Sequence, residues 1–211
     1  RMQLQRADRL MEQELYTEAL PAAMFVTRQR TDVETLRAAW EKVLSCRIRM
    51  KRYDDAMATL DTLATRFPDT ENLVGKRAYV LDRMGRTSEA MYLYLGAIGR
   101  ADPQMRDFYV AGYADIAIPY IRQCLDEGAT AHAFAEADQL LALDSSNDLA
   151  LRYAINAAAQ MGRDDVFREY TDRGLERHPR EPFYLVKKAA SLDAEGRYEA
   201  SIELIRPVLW D

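Results

Sequence analysis

The sequence specifies an all-α fold built from a row of antiparallel helix pairs. One type of short segment returns at near-constant intervals, and each copy sits between two helical stripes. Pro or a small polar residue stops the second stripe of most units. The chain has 211 residues with only 9 Gly and 7 Pro, too few turn-formers for a many-stranded β fold or a disordered chain. Its length suits one domain or an extended row of small units.

The recurring segments are Glu14-Leu15-Tyr16-Thr17-Glu18-Ala19, Lys51-Arg52-Tyr53-Asp54-Asp55-Ala56, Gly85-Arg86-Thr87-Ser88-Glu89-Ala90, Gly128-Ala129-Thr130-Ala131-His132-Ala133, Gly162-Arg163-Asp164-Asp165-Val166-Phe167 and Gly196-Arg197-Tyr198-Glu199-Ala200-Ser201. Their first residues lie 37, 34, 43, 34 and 34 positions apart. Other positions keep the same phase. Trp40, Val74, Ala117, Leu151 and Leu185 precede the segments by 11 residues, and Pro68, Ser145 and Pro179 follow their starts by 17, with Pro103 one residue late. On these residues the chain resembles the tetratricopeptide-repeat (TPR) family, whose period is 34. Trp40, Tyr53, Ala56, Leu60, Leu63 and Pro68 make the best single match. The resemblance covers nearly the whole chain. It implies a right-handed α-solenoid of about six helix pairs, in units 1–31, 36–69, 70–103, 104–146, 147–180 and 181–211.

Each element has a local reason. A Gly after the first stripe permits the left-handed backbone that ends a helix. Acids just beyond it, such as Asp54-Asp55 and Asp164-Asp165, sit where a new helix dipole favours negative charge. Ala near the start of the second stripe lets two backbones approach. The first unit is followed by a connection that reads three residues longer than the period. Thr31-Asp32-Val33-Glu34 then reads as a capping box for the helix carrying Trp40. Between the third and fourth units nine extra residues predict an extended first helix, kinked or interrupted near Pro119 because proline lacks the amide donor and crowds the preceding turn. The fifth unit departs from the pattern at Phe167, Thr171 and Gly174, with Tyr170 and Leu175 expected to fill its seam. The last helix carries the apolar stripe Ile202, Ile205, Val208, Leu209 and Trp210. This stripe and the absence of a closing cap read as a piece of a longer protein. Ile205, Val208 and Trp210 are candidates for self-association.

The inventory of reactive groups points away from an enzyme. His132 and His178 have no Cys, Asp or Glu at metal-ligand spacing. Cys46 and Cys124 read as small packed thiols. The glycines mark turns once per repeat rather than a phosphate loop, and no nucleophile–base–orienter set is visible. No cofactor or metal site is expected. A net charge of −5 and a pI near 5.3 argue against a nucleic-acid partner, and no apolar run reaches the roughly 20 residues of a transmembrane helix. Of the 29 basic residues only Lys42, Lys51, Lys76, Lys187 and Lys188 are lysines. Together with abundant Ala, this points to a bacterial source, in the cytoplasm or the periplasm.

What remains is surface. The resemblance implies that the first helices line a concave groove for a partner peptide or helix. Carried onto this chain, its groove phases select Lys76, Tyr79, Arg83, Arg122, Arg152, Tyr153, Asn156 and Lys187, with Asn72 and Glu41 among their neighbours. Arg and Tyr anchor interfaces well, and Arg pairs bidentately with carboxylates, so an acidic peptide fits. Arg152 and Asn156 have the spacing of the family's carboxylate clamp, but Lys187 stands where the clamp needs Asn. The expected function is therefore a protein-interaction scaffold binding a partner in its groove. The alternative is a spacer or assembly module of a larger envelope or secretion protein, without a peptide ligand.

Overall fold

The computed structural model describes residues 2–70 and 72–209, the side chains of 207–209 excepted. Among these residues it is all helix and turn, with twelve helices in six consecutive pairs. They are α1 (Met2–Glu12), α2 (Tyr16–Thr27), α3 (Val33–Arg49), α4 (Tyr53–Arg66), α5 (Leu73–Arg83), α6 (Thr87–Ile98), α7 (Pro103–Asp126), α8 (Thr130–Leu143), α9 (Asp148–Gln160), α10 (Asp164–Arg177), α11 (Pro182–Ala194) and α12 (Tyr198–Leu209). The chain forms two compact units, 1–116 and 117–211. In the first, α1 to α6 pack in succession, ending with α5 on α6; in the second, α8 to α12 pack in succession.

The turn inside every pair has one backbone signature. Glu14, Lys51, Gly85, Gly128, Gly162 and Gly196, the first residues of the six repeated segments, all have positive φ, from 58° to 77°. The same phase thus demands the left-handed conformation even where the residue is not Gly. Five residues later Ala19, Ala56, Ala90 and Ala133 are fully buried, so α2, α4, α6 and α8 sit close to their neighbours. Trp40 packs against two apolar clusters at once. One includes Ala19, Leu20, Val43 and Cys46, and the other includes Leu44, Ala56, Leu60, Leu63 and Val80.

The irregular intervals are absorbed by first helices. The extra residues expected in a connection lie instead in α3, which has 17 residues against 13 in α9 and in α11. The nine-residue excess lies in α7, whose 24 residues continue through Pro119 without a break in the helix. The interruption expected there is absent: losing one amide donor and crowding one carbonyl does not end a helix of this length. The cap of α3 also differs from expectation. Asp32, one residue later than Thr31, is the N-cap and accepts from Thr35 N at 2.8 Å. Glu34 pairs with Arg37 instead of reaching back. These hydrogen bonds to Thr35 hold the Asp32 carboxyl down at about 2.

In the fifth pair Tyr170 and Leu175 are only partly buried, and the seam is filled from the next helix. Tyr184 on α11 is fully buried, and its ring lies against Gly174. Thr171 and Gly174 are small because Tyr184 is large.

Candidate interaction surfaces

In the first unit the candidate face is carried by α5. Asn72 starts that helix, holding φ at 53° while its side chain accepts from Gly75 N at 3.0 Å. Asn72 thus serves as a cap. One turn on, Lys76 Nζ lies 3.6 Å from Glu41 Oε1 on α3, joining two first helices. Tyr79 follows at i+3 and is 47% exposed. Arg83, one turn further, places its guanidinium 5.2 Å from the centre of the Tyr79 ring. Residues four apart share a helix face, so the cation can cover the ring while both remain open to solvent. Such a contact at an exposed site is worth about 0.5–1 kcal/mol, enough to favour one ring orientation.

In the second unit the candidates are tied together by residues the spacing did not reveal. Arg152 on α9 donates from Nε to Asp148 at 2.6 Å and lies 3.0 Å from Glu181. Its guanidinium stands 4.9 Å from the centre of the Phe183 ring and 5.3 Å from that of Tyr184. Lys187 on α11 approaches the same Phe183 ring at 5.4 Å. Phe183 therefore links Arg152 to Lys187; its place one turn before Lys187 was the available signal. Tyr184 donates its hydroxyl to Asp148, and His178 stacks on the Tyr184 ring at 6.2 Å. Burial opposes ionisation of Asp148, but hydrogen bonds from Tyr184 and Arg152 outweigh it and keep the carboxyl below its usual range. Burial, then Asp148, pushes the Tyr184 phenol up. Tyr153 and Asn156 are partly buried on the same helix, and Arg122 on α7 is exposed, with no ion pair among the described residues.

Ile205 is partly buried, whereas Val208 and Trp210 lie outside the residues whose side chains are described. On the same helix, α12, Tyr198 and Ile202 are exposed. Another feature missed by the repeat register is a cleft of about 460 Å³ between α4, α5 and α6, lined by Met57, Leu81, Tyr92 and Leu93. The ion pairs Arg77–Asp61 and Arg86–Glu89 stand at its side.

Among the described residues no group of three or more His, Cys, Asp or Glu is placed to hold a metal ion. Cys46 and Cys124 are buried and free of any disulfide, and burial pushes both thiols up. No helix among the described residues is long and apolar enough to cross a membrane.

Stacked helix pairs with left-handed turns at one repeat phase define a helical-repeat protein of the TPR type. A tetratricopeptide-repeat protein from Parabacteroides merdae superposes with a TM-score of 0.52 at 12% identity, covering 99% of this chain and 78% of that one. PilW, a type IV pilus biogenesis factor, is similar at a TM-score of 0.45 and 15% identity over 98% of this chain and 90% of its own. The TPR2AB domain of yeast Sti1, solved with an HSP90 peptide, gives 0.42 and 10% over 97% and 87%. A family model described as the bacterial transcriptional activator domain matches residues 3–98, which are α1 to α6 and a little under half of the chain. That bacterial model accords with the source suggested by composition. No curated protein matches the sequence.

Proposed function

We propose that this chain is a protein-interaction scaffold whose first helices hold a segment of a partner protein. The observation that carries this reading is the Tyr79–Arg83 pair. An aromatic ring 47% exposed, with a guanidinium 5.2 Å from its centre, combines the two side-chain types that most often anchor interfaces. Lys76 extends that anchor towards α3. The second unit, taken by itself, offers Lys187, Tyr153, Asn156 and Arg122 as polar contacts of its own, and the cations of each unit favour an acidic segment. Arg152 acts mainly as a support, because its guanidinium is already engaged by two carboxylates and two rings. The match of α1 to α6 to a domain of bacterial transcriptional activators supports a regulatory protein as the setting.

The test is affinity capture from the native host with the parent chain and with Tyr79→Ala/Arg83→Ala, followed by binding of the recovered partner in purified form. Both residues are exposed, so the variant should fold, and partner affinity should fall about tenfold or more. A partner held equally by both chains removes the reading. The spacer alternative draws support from α12, where Ile202 is 56% exposed although Leu20 and Met91, at the same repeat phase, are buried. If that face makes the working contact, Ile202→Asp should abolish association while the Tyr79 variant leaves it intact.

A further inference from the structure

We propose that Arg173 and Arg177, near the end of α10, form an oxyanion site for a carboxylate or phosphoryl group on a segment of a partner protein. Arg173 Nη2 donates to the Ser145 carbonyl oxygen at 2.7 Å, and Arg177 Nη1 donates to the same oxygen. The two guanidinium nitrogens therefore stand within two hydrogen-bond lengths of each other, roughly 6 Å at most. Two full positive charges converge on one neutral group.

None of the surrounding acids pairs directly with them, although Asp144, Glu169 and Glu176 lie close along the chain. Asp144 is engaged by the Ser146 amide and hydroxyl at 2.9 and 2.6 Å. Asp148 is taken by Tyr184 and Arg152, and Glu181 by Arg152. Among the described residues neither Arg173 nor Arg177 makes an ion pair. The Ser145 carbonyl lies just beyond the end of α8, where the helix dipole supplies about half a negative charge that draws both guanidinium groups to it. The carbonyl also has only two lone pairs, whereas each guanidinium has five donor N–H groups in a planar fork suited to carboxylate or phosphate. Most of those donors remain available to a ligand.

Closing the repeat turn does not by itself require this pair. The corresponding positions are Phe25 and Gln29 in α2 and just after it, Thr62 and Arg66 in α4, Gly96 and Arg100 in and after α6, and Gln139 and Leu143 in α8. Only α10 brings two arginines. Arg173 is further placed by the Tyr170 ring, 5.9 Å away. Room for a ligand exists beside Arg177, where a cavity of about 500 Å³ is lined by Arg177, His178, Pro179, Arg180 and Glu181. The exposed Ser145 adds a hydroxyl.

The experiment follows the arginine Nε–Hε resonances of the folded chain by NMR during titration with inorganic phosphate. A glutamate-rich peptide and a phosphoserine peptide of the same length are then titrated separately, with sodium chloride as the ionic-strength control. The Arg173 and Arg177 signals should shift saturably with phosphate and with at least one peptide. The tighter peptide distinguishes the carboxylate source from the phosphoryl source. Arg173→Gln/Arg177→Gln should weaken binding at least tenfold, the order expected for lost charge-assisted hydrogen bonds. Shifts that only follow ionic strength, or equal affinity in the double variant, would overturn the site and leave the arginines as caps of α8. Should the variant unfold, the resonances of the parent chain still decide. The site shares no residue with the first-helix face, so either can fail alone.

Discussion

The ring of Tyr184 occupies the space into which a side chain at Gly174 would grow: a Cβ added there would lie 2.2 Å from Cε1 of the ring. That contact explains why the fifth pair abandons the repeat pattern at Gly174. Gly174→Ala should lower stability, since overpacking costs about 1–3 kcal/mol and the helix propensity gained returns at most about 1 kcal/mol. Urea unfolding measures it. In a double-mutant cycle, Tyr184→Ala should relieve much of the penalty; additive losses would mean that the two residues are uncoupled.

Arg152→Ala should act on folding. It removes two ion pairs and two ring contacts from a side chain that is 28% exposed. After allowance for solvent screening, the loss should be about 1–2 kcal/mol. Arg122→Ala, on an exposed side chain without an ion pair, should stay within about 0.5 kcal/mol. Comparing the thermal midpoints of the two variants separates support from open surface, and equal midpoints would contradict the assignment.

Alkali should loosen the second unit. Burial, then Asp138, pushes the Tyr170 phenol up to about 12, and burial with Asp148 raises Tyr184 as well. A raised folded-state value means that this contribution to stability is complete below the ordinary tyrosine value near 10. It is lost as pH rises from there through the folded values. Ultraviolet titration should show two late phenols, and unfolding free energy should decline above about pH 10. Tyr170→Phe/Tyr184→Phe should flatten that decline; an unchanged slope would assign it elsewhere.

The two thiols should react slowly in the native chain. Cys46 is fully buried, Cys124 is 5% exposed, and burial disfavours both thiolates. A colourimetric disulfide reagent should modify them promptly only after denaturation. Rapid native labelling of either would show that its helix opens easily.

Much of the architecture was legible because one backbone requirement recurs. Lys51 and Glu14 kept the phase of the turn although neither is Gly, and the buried Ala positions kept theirs. The destination of the extra residues was less visible, since an interval fixes a length without saying whether helix or loop receives it. Asp32 took the cap from Thr31 by a one-residue choice between two competent side chains. On the candidate faces, repeat phase placed Tyr79 and Arg83 on α5. It could not show that Arg152 is committed to Glu181 and Phe183, about 30 residues away, or that Arg173 and Arg177 meet at Ser145. Those pairings depend on side-chain rotamers across helix contacts, which lie beyond periodicity.

The left-handed turns at Glu14 and Lys51 also leave the array with a stability reserve. A residue with a Cβ is strained in that conformation by about 1–2 kcal/mol, only partly offset by the greater unfolded-state freedom of Gly. Glu14→Gly and Lys51→Gly should therefore each raise the unfolding midpoint; a lower midpoint would show that their side chains contribute more than the strain removes. Two exposed positions could thus compensate for destabilising changes accepted elsewhere. A lineage exploring new partners could alter its recognition face first and recover robustness later at a turn, a division of labour that makes such arrays readily evolvable.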